Sequence, residues 1–122
     1  MTSKIDRFLS EQTLKTPYLV VDKDIVRRNY RAFRDRLPLA EIFYAVKANP
    51  APEILNLLHE EGASFDAASL PEIEMCLATG ATPDRIAYGN VIKKSADIAQ
   101  AYAHGVRSEE RRVGKECRSR WS

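Results

Sequence analysis

The sequence predicts an α/β fold, with strands and helices alternating around a parallel sheet. Two observations carry this. Short apolar runs rich in β-branched and aromatic residues alternate with stretches whose apolar positions recur at helical spacing. Proline and glycine punctuate the changes from one to the other, at Pro50, Pro52, Gly62, Pro71, Gly80 and Gly105. Alternation with short connections implies parallel strands joined by right-handed crossovers.

Residues 17–22 read as the first strand and 23–37 as the first helix, with Val26, Tyr30, Phe33 and Leu37 on one face. Arg27, Arg28, Arg31, Arg34 and Arg36 fall mostly opposite, as a solvated outer face rather than a nucleic-acid patch. Residues 41–46 form the second strand, apolar as a strand covered on both faces must be. The next helix spans 52–61, with proline near its first position and Gly62 as its stop. Ile54, Leu55, Leu57 and Leu58 pack it on the sheet. Residues 63–66 are the third strand. Ser69-Leu70-Pro71-Glu72 then opens a helix as a capping box, in which the hydroxyl accepts from a first-turn amide and Glu72 reaches back. Gly80 ends that helix, 85–88 form the fourth strand, and Ser95 caps a helix that ends at Gly105.

The position most suited to chemistry is Lys47, in Phe43-Tyr44-Ala45-Val46-Lys47-Ala48-Asn49-Pro50. Pro50 and Pro52 end the strand, because proline donates no backbone hydrogen bond and pushes its predecessor out of the helical region. Lys47 therefore arrives at the carboxyl end of a core strand, where α/β barrels place their active sites. A partly desolvated amine there can form a Schiff base. The competing reading is a lysine that snorkels from a strand end into water.

Three motifs in order move the balance. Tyr44-Ala45-Val46-Lys47-Ala48-Asn49, then Ser64-Phe65-Asp66-Ala67-Ala68-Ser69, then Glu72 in Leu70-Pro71-Glu72-Ile73-Glu74 resemble the amino-terminal half of the pyridoxal-phosphate-dependent ornithine/diaminopimelate/arginine decarboxylases. Thr16-Pro17-Tyr18-Leu19-Val20-Val21-Asp22 and Ala87-Tyr88-Gly89-Asn90 with Lys93 fit the same family. The resemblance covers residues 16–106, and its wording is closest to ornithine or lysine/ornithine members. It implies a partial (β/α)8, TIM-type barrel of roughly four βα units, since a whole barrel takes roughly 250 residues and this chain has 122.

The resemblance also implies the chemistry. Lys47 would hold pyridoxal 5'-phosphate as a Schiff base, and the cofactor ring would take up the electrons left when carbon dioxide departs. Asp66 matches a family acid near the cofactor, and Glu72 another. Each has a structural alternative, Asp66 as a strand-end group for loop amides and Glu72 as the helix cap. The family's phosphate-binding glycine loop, its partner for the pyridine nitrogen and its ring-stacking histidine lie beyond residue 106. The implied activity is conversion of L-ornithine to putrescine by a full-length homodimer, with a small amino-acid substrate and no nucleic-acid or membrane partner. This chain is expected to be an inactive fragment of it. Diaminopimelate decarboxylase and a non-catalytic cofactor-binding or regulatory homologue are the alternatives.

Residues 107–122 hold six Lys/Arg and three Glu, so this stretch carries +3 and residues 1–106 carry −1 of the chain's net +2. The basicity is local. The stretch resembles a translated sequencing adapter, and it is expected to be a non-native, disordered tail after an amino-terminal domain at 1–106. Cys117 and Trp121 accordingly receive no role. Cys76 shares an apolar helix face with Ile73 and Leu77 and reads as a small core residue, and a single unpaired thiol suits a reducing, cytoplasmic location. His59 and His104 read as surface groups near helix ends. The first residues lack the apolar core of a secretion signal, and no stretch approaches membrane-spanning length.

Overall fold

The structure, a computed structural model, describes residues 3–90 and 93–108. Its framework is one parallel sheet of four strands, β1 (Phe43–Ala45), β2 (Ser64–Ala67), β3 (Ile86–Tyr88) and β4 (Arg107–Ser108), in that order. Two helices precede the sheet, α1 (Ser3–Glu11) and α2 (Lys23–Arg36). Three more connect its strands in turn, α3 (Pro52–Glu60), α4 (Leu70–Ala78) and α5 (Ser95–Ala103).

Register decides which residues are covered. Tyr44 pairs with Phe65 and Phe65 with Ile86, while Ala45 pairs with Asp66 and Asp66 with Ala87. Directly paired residues share a face and neighbours in sequence alternate. One face therefore carries Tyr44, Phe65, Ala67, Ile86 and Tyr88, and it is the one the helices cover. Phe65 and Ala67 are wholly buried there, in one cluster with Leu55, Leu58, Ile73, Cys76, Ala101 and Val106. Burial of a side chain the size of Phe65 or Leu55 stabilises the fold by about 1.5–3 kcal/mol. The opposite face carries Phe43, Ala45, Ser64, Asp66 and Ala87. Ser64 and Ala87 are buried, but Phe43 and Asp66 are exposed, so no layer covers this face throughout.

Glycine terminates three of the helices where expected: Gly62, Gly80 and Gly105 all have positive φ, which lets the chain turn back toward the sheet. The α2 arginines depart from expectation. Rather than a purely solvated face, Arg27, Arg31 and Arg34 converge on Glu61, whose side chain is only 8% exposed. Arg31 donates twice, from Nε and Nη2, at 2.9 Å each. A carboxylate at the end of α3 thus fastens α2 to α3.

Three further differences bear on the sequence reading. Residues 17–22 are not a strand: they join no sheet, and Leu19 is 80% exposed. Their β-branched residues favour extended backbone, but a strand also needs a partner; here Val20 and Val21 line a cleft against Ile5 and Phe8 of α1 instead. Ser95 is the first helical residue of α5 and not its cap, since the cap position is Lys94 and has no side-chain hydrogen bond. Residues 107–108, the first two of the expected tail, pair with β3 in parallel as β4. From residue 109 onward, the tail expectation, with Cys117 and Trp121, lies outside the described residues.

Candidate functional site

The site lies at the carboxyl ends of β1 and β2. β1 stops at Ala45, and the chain makes a single 3-10 turn over Val46–Ala48. Val46 is completely buried and anchors the turn in the core, while Lys47, next to it, is exposed. Partial desolvation of Lys47 is therefore not what the structure has; the sheet face around it is open. Asn49 then takes extended backbone, φ −161°, as a residue before proline must, and α3 begins at Pro52.

Two hydrogen bonds bracket the turn. The Tyr44 hydroxyl donates to the Asn49 carbonyl at 3.1 Å, and the Asn49 Oδ1 accepts from the Ala51 amide at 3.1 Å. Burial pushes the Tyr44 hydroxyl above its ordinary pKa, with the Asn49 contact opposing, so it remains a protonated donor at neutral pH. Neither residue received a role from the sequence. The available signal was an asparagine before proline, a composition that favours side-chain-to-backbone turns.

Asp66 is the penultimate residue of β2, exposed, and paired with Ala45 on one side and Ala87 on the other. Lys47 follows Ala45 by two residues, so the amine and the carboxylate stand at the same end of neighbouring strands. Gly89, just past β3, donates its amide to the Ala67 carbonyl at 3.0 Å. A Cβ added at Gly89 would lie 3.3 Å from the Asp66 Cγ and closer still to Oδ1, so the carboxylate fills the space a side chain would need. Beside it, the Lys93 Nζ lies 4.7 Å from the centre of the Tyr88 ring.

Glu72 sits in the first turn of α4. Its Oε2 accepts from the Ala68 amide at 2.6 Å, and its own amide donates to the Ser69 hydroxyl at 3.4 Å. The capping arrangement is thus present, with the carboxylate reaching one residue further back than the Ser69 amide. The link between Asp66 and α4 is held by this pair. His59 is half-buried against Gly80, and His104 is exposed at the end of α5; neither belongs to the site. The cleft of about 510 Å³ between α1 and residues 14–24 includes neither Lys47 nor Asp66 in its lining. Among the described residues, no helix is long and apolar enough to cross a membrane.

An accessible amine past the end of β1 and a carboxylate near the same end of β2 suit a carbonyl-bearing ligand. Comparison with known proteins points the same way. Residues 23–115 match the family described as pyridoxal-dependent decarboxylase, pyridoxal binding domain. The chain is 41% identical over 106 residues to the lysine/ornithine decarboxylase of Selenomonas ruminantium, covering 81% of this chain and 27% of that one. It is equally identical, over 106 residues, to the chloroplastic ornithine decarboxylase of Nicotiana glutinosa, covering 87% of this chain and 24% of that one. Among solved structures, the lysine/ornithine decarboxylase of Vibrio vulnificus complexed with cadaverine superposes with a TM-score of 0.79 at 33% identity, over 88% of this chain and 30% of that one. The chain therefore spans about a quarter of the length of the curated relatives it matches.

Proposed function

Because this chain belongs to the pyridoxal-dependent decarboxylase family, we propose that the whole protein removes the carboxyl group of a basic amino acid, L-ornithine first and L-lysine second. The observation that carries this reading is Lys47, an exposed primary amine delivered by a tight turn just past the end of β1, with Asp66 near the same end of the neighbouring strand. The residues fit pyridoxal 5'-phosphate, because Lys47 offers an amine for its aldehyde and the face around it is open.

That group, when bound, supplies an electron sink for the pair left on the substrate as carbon dioxide departs. Lys47 binds it through Nζ, and the same nitrogen, when free, holds or moves a proton at the substrate. The Asp66 carboxylate favours protonated, cationic groups around it. Glu72, fixed on the Ala68 amide, orients the link that follows Asp66, and we include it among the cofactor-positioning residues. In this reading the chain is the amino-terminal part of a (β/α)8 barrel, and the whole protein is a cytoplasmic homodimer that produces putrescine. The 122-residue chain alone turns over no substrate.

The test is replacement of Lys47 by Ala in the whole protein. Carbon dioxide release from ornithine should fall by about a thousandfold or more, and the visible absorbance of lysine-bound cofactor should vanish. Ornithine turnover that survives the change would overturn the assignment. A preference for diaminopimelate over ornithine in the unaltered protein would overturn the choice of substrate.

A further inference from the structure

We propose that Tyr44 and Asn49 form a clip that aims Lys47, and that Tyr44 is a positioning residue of the site. The inference rests on the reading of Lys47 as the cofactor-holding amine. Its basis is the geometry of the turn. Residues 44–49 close a loop whose ends are joined by the Tyr44 hydroxyl on the Asn49 carbonyl at 3.1 Å. The loop encloses Lys47, and the Asn49 side chain fastens its exit to the start of α3 through the Ala51 amide. Its entry is held by Val46, which has no exposed surface, and by the Tyr44 ring, which packs against the core cluster.

Lys47 itself has an exposed side chain, so packing does not fix its direction. What remains to fix it is the backbone of the turn, and the clip holds that backbone at both ends. A reacting amine displaced by about 1 Å can cost on the order of a hundredfold in rate. The ring and the hydroxyl of Tyr44 therefore have separable tasks: the ring packs, and the hydroxyl sets the turn. A phenylalanine would preserve the first and lose the second.

The experiment uses the whole enzyme and its Tyr44→Phe variant. Each is stripped of cofactor and mixed with pyridoxal phosphate, and the lysine-bound form is trapped with borohydride and mapped by mass spectrometry. The unaltered protein should be labelled at Lys47. Tyr44→Phe should be labelled at the same site about tenfold more slowly, with kcat lowered by a similar factor and KM for ornithine within about twofold. Asn49→Ala should behave like Tyr44→Phe, and Asn49→Asp, which keeps an acceptor for the Ala51 amide, should recover most of the rate. Denaturant midpoints that match the unaltered protein in these variants distinguish aim from a general loss of stability, and the Asn49 pair keeps the test decisive if Tyr44→Phe folds poorly. Labelling and kcat within twofold of the unaltered protein in Tyr44→Phe and Asn49→Ala would overturn the clip while leaving the role of Lys47 intact. Absence of label at Lys47 in the unaltered protein would overturn both.

Discussion

Cys76 illustrates how burial settles what a reactive residue type does. It lies on α4 with no exposed surface, packed with Ile73 against the sheet. Burial, first, and the nearby Glu72 charge, second, push its thiol up to about 12. A thiol so held has almost no thiolate at neutral pH and is a poor nucleophile. In a Cys117→Ser background, a thiol reagent at neutral pH should modify Cys76 at least about a hundredfold more slowly in the folded protein than in denaturant. Comparable rates in the two states would show that the core around α4 is open. The sequence reading of Cys76 as a small core residue needed only the helical spacing of Ile73, Cys76 and Leu77. The contrast with Lys47 is instructive: its type and its place near the carboxyl end of a strand were legible, but its exposure was not, because exposure depends on what other segments cover.

At the start of α4, helix capping and the candidate site share Glu72. The Ser69 hydroxyl accepts from the Glu72 amide and the Glu72 carboxylate from the Ala68 amide, and residues 68–72 follow directly on Asp66 and Ala67. Ser69→Ala should cost about 1 kcal/mol of stability, measured by denaturant unfolding. Glu72→Gln keeps an oxygen for the Ala68 amide and so should destabilise less than Glu72→Ala. If Glu72 also acts on the cofactor, turnover in Glu72→Gln should drop although stability is kept; unchanged turnover would leave it a cap alone. The capping box was readable because a hydroxyl and a carboxylate three residues apart act within one turn. The N-cap expected at Ser95 shows the limit, since a serine before an apolar run can equally be the first residue of the helix, as it is here.

For the molecule as a whole, the junction of α2 and α3 makes stability depend on pH. The Arg31 hydrogen bonds, and then the charges of Arg31, Arg27 and Arg34, hold the Glu61 carboxyl below its usual range, against an opposing effect of burial. A carboxyl depressed in the folded state stabilises the fold above the unfolded carboxylate range, and this contribution is lost as pH falls through the depressed value. The melting temperature should therefore fall between about pH 5 and about pH 2 more steeply in the unaltered chain than in Glu61→Gln. Equal slopes would mean that the arginines contribute nothing to the docking of α2. The five arginines of this helix were visible in the sequence, but the acid on which three of them converge lies 25 or more residues away along the chain.

The glycine stops, the apolar face of α3 and the cap at Ser69 were legible from residue order, because each is set within a few residues by sterics, periodicity or a local hydrogen bond. β1, however, ends at Ala45 in a 3-10 turn before Pro50 is reached, and Phe33 and Leu37 of the expected α2 face are 62% and 49% exposed because no layer covers them. Lys47 lies in the turn that follows β1, whereas the position of Asp66 near a strand end followed from the same local signals. Strand membership did not. Residues 17–22 have the composition of a strand and pair with no strand among the described residues, whereas residues 107–108 have little of it and extend the sheet beside β3. Pairing is a relation between distant segments: a backbone becomes a strand only where another edge presents free donors and acceptors, and β3 presents such an edge to Arg107–Ser108. The Tyr44–Asn49 clip, the arginines around Glu61 and the open face around Lys47 share that character, since each depends on where the folded chain brings groups together and on which surfaces it leaves bare.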